Sequence, residues 1–243
     1  MINPEGIAVA GDWHGNTKWA LHAINYAATQ GANVILHTGD FGYDFNQEFL
    51  DKITKHLKYH DMTLYFVDGN HEDFFYLYTF PIVEDGTRHL TDRVFHLPRG
   101  FRWEWLGNTF MALGGAISPD KEGRVPYREW WPDEALSFAD ISHATRPGNV
   151  DIMITHDCPA GVDIPGIANN PYGFPAKTLR DCEAHRDVIR GIVDEIQPKL
   201  LVHGHYHQYY RDVLHGGDYM TNIMGLHCDG SYILDNVRLL ILE

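Results

Sequence analysis

Apolar and polar positions follow two different periods along the first third of the chain. Short, nearly unbroken apolar runs at Ile7–Ala10, Val34–His37 and Leu64–Val67 read as buried strands. Between them, residues 17–30 place Ala20, Ala23, Ile24, Ala27 and Ala28 on one helical face, with Asn16 as a candidate N-cap. Residues 46–60 form a second amphipathic helix. This β-α-β-α-β order predicts a sheet of parallel strands covered by helices. Further strands are expected at 110–113, 151–155 and 199–203, with a helix over 178–196 between the last two. The end of the chain reads as an antiparallel meander, with strands near 208–213, 219–224 and 232–241. Two stretches, 116–149 and 157–177, carry several prolines, and the second is also rich in Gly and Asn. They read as long loops, which in compact domains are often functional. The simplest account is a mixed α/β protein with two packed sheets, forming one domain over 1–243.

Composition adds bounds. The 243 residues are 44% hydrophobic and 13% aromatic, ample for a large core. Lys and Arg number 19 against 33 Asp and Glu, a net charge of −14, which disfavours duplex nucleic acid as a partner. A small phosphorylated substrate stays open, because bound divalent cations reverse the field locally. The start, MINPEGIAVAGDWHG, has no basic region or long apolar stretch, and no run approaches a membrane span. Three widely spaced cysteines make no disulfide framework, so a cytoplasmic, non-membrane protein is expected. Nothing in the sequence specifies an oligomeric state.

The chemistry is carried by five short motifs, each just beyond a β-like run: GDWHG with Asp12 and His14, TGD with Asp40, GNHE with Asn70 and His71, THD with His156, and GHYH with His205 and His207. Each alone is an ordinary turn or a core histidine. Together they offer carboxylate, amide and imidazole ligands for two divalent metals at the carboxyl edge of a sheet, where α/β folds bind ligands. A mixed oxygen and nitrogen shell suits Mn²⁺, Fe or Zn²⁺, with Mn²⁺ the first choice in vitro. His71, next to a ligand, is placed to face the substrate. His203 reads as structural and Cys158 as a small buried residue.

The ordered set D-x-H, G-D, G-N-H-E, H and G-H-x-H, from Asp12 to His207, resembles the calcineurin-like metallophosphoesterase superfamily. The resemblance implies a four-layer αββα sandwich. It implies one metal on Asp12, His14 and His207, the other on Asn70, His156 and His205, Asp40 bridging them, and His71 at the scissile phosphate. One position departs. In the serine/threonine phosphatase branch an acid three residues after the bridging Asp supports the GNH histidine; here Tyr43 stands there, followed by Asp44, and the GDYVDRG pattern is absent. The chain is more similar to small bacterial and phage members, including phosphodiesterases, and LGGAIS at 113–118 is shared with that group.

These readings converge on metal-assisted phosphoester hydrolysis by a hydroxide bridging two metals. Small nucleotide diesters such as cyclic nucleotides are the expected substrates. Lys121, Arg124 and Arg128 are candidate phosphate contacts, and Trp130, Trp131 or Tyr172 candidate base-stacking surfaces, unless these side chains only anchor the loop. The alternatives are a phosphomonoesterase or single-strand nuclease of the same fold, and a metal-binding scaffold without turnover.

Overall fold

A computed structural model describes residues 1–43 and 45–242; Asp44, noted above, lies outside them. Twelve strands form two six-stranded sheets. The first has the order β12(Val237–Leu239)-β1(Ile7–Ala10)-β2(Val34–His37)-β3(Thr63–Phe66)-β5(Val94–His96)-β4(Arg88–His89). The second runs β10(Tyr210–His215)-β11(Met220–Gly225)-β9(Leu200–His203)-β8(Ile152–Thr155)-β7(Asn108–Leu113)-β6(Arg102–Trp105). The two sheets share a design: four central parallel strands with an antiparallel strand at each edge.

Three apolar layers explain the stacking. On the outer face of the first sheet, α1(Thr17–Thr29) and α2(Gln47–Tyr59) bury Ala20, Ala23, Ile24 and Ala27, and Phe49, Leu50, Ile53 and Leu57. Those positions recur at three- and four-residue spacing, so each helix presents one apolar stripe. Each fully buried Leu, Ile or Phe contributes about 1.5–3 kcal/mol over leaving it exposed, so Ile53→Asp would open this layer. Asn16 and Asn46 cap the two helices through their side chains. Between the sheets, Val9, Leu36, Tyr65, Phe110, Ile154 and Val202 interleave. Beyond the second sheet, Met111, Met153 and Leu201 meet Ile189, Ile192 and Val193 of α5(Ala176–Ile196). The result is the αββα sandwich.

The expected strands and long helices through residue 203 are present within two residues of their expected ends. The end of the chain differs. Only β10 and β11 form the antiparallel pair, and β11 then lies parallel to β9. Residues 232–241 are not one strand. They hold a single-turn helix α6(Ile233–Asn236) and then β12, which crosses to the first sheet and pairs with β1. That sheet would otherwise expose β1 as an open edge. The 116–149 stretch is not all loop either. It contains two short 3₁₀ turns and α4(Phe138–Ala144), whose start is secured by a reciprocal Ser137–Asp140 capping box. The strands β4, β5 and β6 and the short helix α3(Phe74–Leu77) were not expected from periodicity. By contrast, 157–177 has no regular element before α5 begins at Ala176. Among the described residues no helix is long and apolar enough to cross a membrane.

Candidate metal centre

The carboxyl ends of β1, β2 and β3 in one sheet and of β8 and β9 in the other open onto one cleft. Asp12, His14, Asp40, Asn70, His156, His205 and His207 sit in the turns that follow those strands. Four of them, His14, Asp40, His205 and His207, have positive φ, at 47°, 52°, 67° and 53°. A non-glycine residue in this region costs of order 1–3 kcal/mol, which persists only where surroundings enforce it. Glycines permit the close packing: a Cβ on Gly204 would collide with the Asp12 carboxylate, and one on Gly69 with that of Asp40.

Two groups of donors form. Asp12, His14 and His207 bring one ligand atom each to within 4.8 Å of one another, and so do Asp12, Asp40 and His156. Asp12 belongs to both groups, so it as well as Asp40 lies between them. His207 Nε2 is 3.2 Å from Asp12 Oδ2, and His156 Nε2 is 3.4 Å from Asp40 Oδ1. Asn70 joins the second group through Oδ1, 3.0 Å from His156 Nε2. His205 stands outside both groups; its ring packs on Tyr206 and lies 5.0 Å from that of His156.

The two buried carboxylates raise the pKa of the histidines aimed at them. Burial pulls the His156 pKa down, but the charge and hydrogen bond of Asp40 and the charge of Asp12 outweigh it, raising it to about 10. His14 rises to about 9, with burial opposed by Asp40, Asp12 and Asp229. His207 rises to about 11, with burial opposed chiefly by its hydrogen bond to Asp12. His205, by contrast, falls to about 4 through burial. Asp40 lies well below the usual carboxylate range: burial opposes this, and the charges of His156 and His71 overcome it. Clustered imidazolium protons aimed at two buried carboxylates are the arrangement a divalent cation displaces.

The surrounding hydrogen bonds fit that use. His156 Nδ1 donates to the Thr38 carbonyl at 2.8 Å, leaving Nε2 toward the cleft. His14 Nδ1 meets Asp229 Oδ1 at 2.8 Å, leaving its Nε2 toward Asp40. Asp229 is held in turn by Asn16 Nδ2 at 2.6 Å. Asn70 Nδ2 donates to Ser118 Oγ at 3.0 Å, and Ser118 Oγ donates to the buried Glu134 at 2.7 Å. Buried Glu72 accepts backbone N–H groups from Gly69, Asp40 and Phe41, tying the GNHE loop to the TGD loop. Each device orients a ligand from behind. Asp229, Ser118 and Glu134 were missed in the sequence. A signal existed for two of them: Ser118 follows β7 and Asp229 follows β11, so both lie at the same carboxyl edge as the ligands.

His71 faces the cleft beside the carboxylates, its backbone N–H donating to Asp40 Oδ1 at 2.9 Å. Where the phosphatase branch places an acid, this chain places Tyr43, whose ring lies 5.0 Å from that of His71. The hydrogen-bond partner is Arg124, whose Nη1 donates to His71 Nδ1 at 2.7 Å while Nη2 pairs with Asp120 at 2.7 Å. Burial, and then the Arg124 charge, lower the His71 pKa against the pull of Asp40. Of the other expected substrate residues, Arg128 is exposed and lines a cavity with Arg124 and Tyr43. Lys121 is engaged elsewhere, 3.1 Å from Asp181 of α5 and over the half-buried Trp130 ring. Trp131 is 5% exposed and packs on Phe74. It therefore anchors the loop, the alternative that the sequence left open for this residue. Tyr172 is exposed and packs only on Phe174.

An αββα sandwich with clustered Asp, His and Asn at the joint carboxyl edge of its sheets defines a metal-dependent class of hydrolases. The model of the calcineurin-like phosphoesterase family matches residues 6–209, and the chain belongs to that family, whose members hydrolyse phosphoesters with bound metal. Solved structures share the fold. A Thermus thermophilus protein is 12% identical at a TM-score of 0.55, with 99% of each chain covered. A dimetal phosphatase from Danio rerio is 11% identical at a TM-score of 0.50, covering 96% of this chain and 88% of that one. No curated protein matches the sequence.

Proposed function

We propose that the chain, as one domain, hydrolyses small phosphodiesters, nucleotide diesters such as cyclic nucleotides among them, on a pair of divalent metals, and that Mn²⁺ supports the reaction. The observation that carries this reading is the pair of donor groups meeting at Asp12. In it, Asp12, His14 and His207 would hold one metal and Asn70, His156 and His205 the other, with Asp40 as the carboxylate nearest both. When bound, the metals supply Lewis acidity toward the phosphoryl oxygens and acidify a water. The likeness to a dimetal phosphatase, the Danio rerio protein, is consistent with such a pair.

The residues of the chain supply the rest. Arg124 lies against both ring nitrogens of His71, Nη1 2.7 Å from Nδ1 and Nη2 3.4 Å from Nε2; in this reading Nδ1 accepts and Nε2 carries the proton that hydrogen-bonds the leaving oxygen of a bound ester. Arg124 fixes that tautomer and faces the phosphoryl charge. Its own charge is partly offset by Asp120, which suits a singly charged diester better than a doubly charged monoester. The net charge of −14 disfavours a duplex substrate. Three free thiols suit a reducing cytoplasm.

Metal-stripped protein should cleave neither bis-p-nitrophenyl phosphate nor p-nitrophenyl phosphate. Adding Mn²⁺ should restore cleavage, with higher kcat/KM for the diester. Preference for the monoester would replace this reading with a phosphatase. Two bound metals with no cleavage of any ester would replace it with a scaffold.

A further inference from the structure

The cavity beside His71 measures about 430 Å³ and is bounded by Tyr43, Arg124, Arg128 and Trp131 with the acids Asp73 and Glu129. That volume falls in the range of small-molecule sites. Most of its polar groups are already engaged. Asp73 caps α3 by accepting from Tyr76 N–H at 3.0 Å, and Glu129 accepts from Val125 N–H at 2.7 Å. Arg124 is held by His71 and Asp120. Arg128 is different: no hydrogen bond, ion pair or ring contact joins it to the described residues, in a chain with a large excess of acids.

Two planar groups thus border the cavity, the unengaged Arg128 guanidinium and the Tyr43 ring, which touches His14 and His71 yet is 43% exposed. The wall that carries Arg128 is secured. Tyr127, its neighbour, stacks on Phe75 of α3 with ring centroids 5.7 Å apart and planes within 5°. Guanidinium and phenol surfaces both favour a planar aromatic partner. A lone phosphate would use neither the ring of Tyr43 nor the depth of the cavity. Two of its lining residues, Tyr43 and Arg124, contact His71, the residue placed at the leaving oxygen.

We infer that this cavity takes a nucleoside on the leaving-group side of the diester, its base against Tyr43 and Arg128. The inference rests on the hydrolase reading and adds its direction. The oxygen of water joins phosphorus and the bond from phosphorus to the nucleoside oxygen breaks. That oxygen keeps one proton of the water, and the other passes to solvent as the phosphate monoester ionises. In a linear diester the nucleoside leaves and the phosphate stays with the other alcohol; in a cyclic nucleotide the ring opens and the phosphate stays on the other oxygen of the same ribose.

The test is hydrolysis of adenosine 5′-methyl phosphate by Mn²⁺-loaded protein. Both of its ester oxygens are alkoxides of similar leaving ability, so the bound orientation selects the product. Adenosine and methyl phosphate should exceed AMP and methanol by roughly tenfold, and Tyr43→Ala or Arg128→Ala should each cut that ratio by roughly fivefold or more, the scale of one base-stacking contact. AMP and methanol as the main products, or variants that leave the ratio unchanged, would overturn the inference. A binding readout separates its failure from that of the hydrolase reading. Adenosine should quench tryptophan fluorescence of the metal-free protein, and Arg128→Ala should abolish the quenching. Quenching without cleavage of any diester keeps the cavity and removes the hydrolase. Cleavage of bis-p-nitrophenyl phosphate with no quenching and with AMP as product does the reverse.

Discussion

The floor and the rim of the cleft are built in opposite ways. On the floor, Asp12, Asp40, Asn70 and His156 are buried, and four candidate ligands hold left-handed backbone. Their orientations are set from behind by Thr38, Ser118, Glu72 and Asp229. On the rim, Tyr43, Tyr127 and Arg128 are exposed, and the segment around Arg124 is shaped by 3₁₀ turns and a few side-chain contacts. The strained, buried floor commits the molecule to metal chemistry. The rim, in the proposed reading, selects the ester, and its loops can vary without disturbing the strands below.

The sharpest way to break that contrast is on the floor. Asp12→Asn keeps the shape but removes the charge shared by both donor groups. Hydrolysis of bis-p-nitrophenyl phosphate should fall to background, and metal content measured by mass spectrometry should drop below two per chain. Retention of both metals would show that Asp40 suffices. His71→Ala tests the boundary between floor and rim: kcat should fall by about 10²–10⁴-fold while metal content is kept. Metal lost in proportion to activity would make His71 a ligand instead. Asp229→Ala removes support without removing a ligand. Metal affinity should weaken by about 10–100-fold with the fold intact by circular dichroism, since the partner behind a metal-ligating histidine typically carries that much. Unchanged affinity would reduce Asp229 to a surface contact.

How far the sequence could be read follows the same division. The strands of the floor are short apolar runs flanked by glycine-bearing turns, so their position and the ligands after them were legible from local pattern. The αββα arrangement and the grouping of the ligands came through the family resemblance. What escaped depends on partners far along the chain. Residues 232–241 carry enough apolar side chains for a strand, yet the open edge of β1 draws in only Val237–Leu239, and Asn236 turns inward to accept from the Trp13 and Trp19 indoles. Trp130 and Trp131 are adjacent in sequence, and only tertiary packing separates a half-buried ring from one set in the core against Phe74. Arg124 was one cation among three near that loop. Its contact with a histidine 53 positions away is a fact of tertiary structure alone.

The proposed two-metal centre rests on the histidines and carboxylates gathered at the floor. Titrating Mn²⁺ into metal-free protein by calorimetry, in two buffers of different ionisation enthalpy at about pH 7.5, above the ordinary histidine pKa of about 6.5, tests it most directly. His14, His156 and His207 titrate at about 9, 10 and 11, so they hold protons at that pH, and cation binding must expel them. Affinity should therefore rise with pH through this range. The account predicts two Mn²⁺ per chain with release of more than one proton. A single Mn²⁺ at saturation, or uptake without proton release, would contradict it.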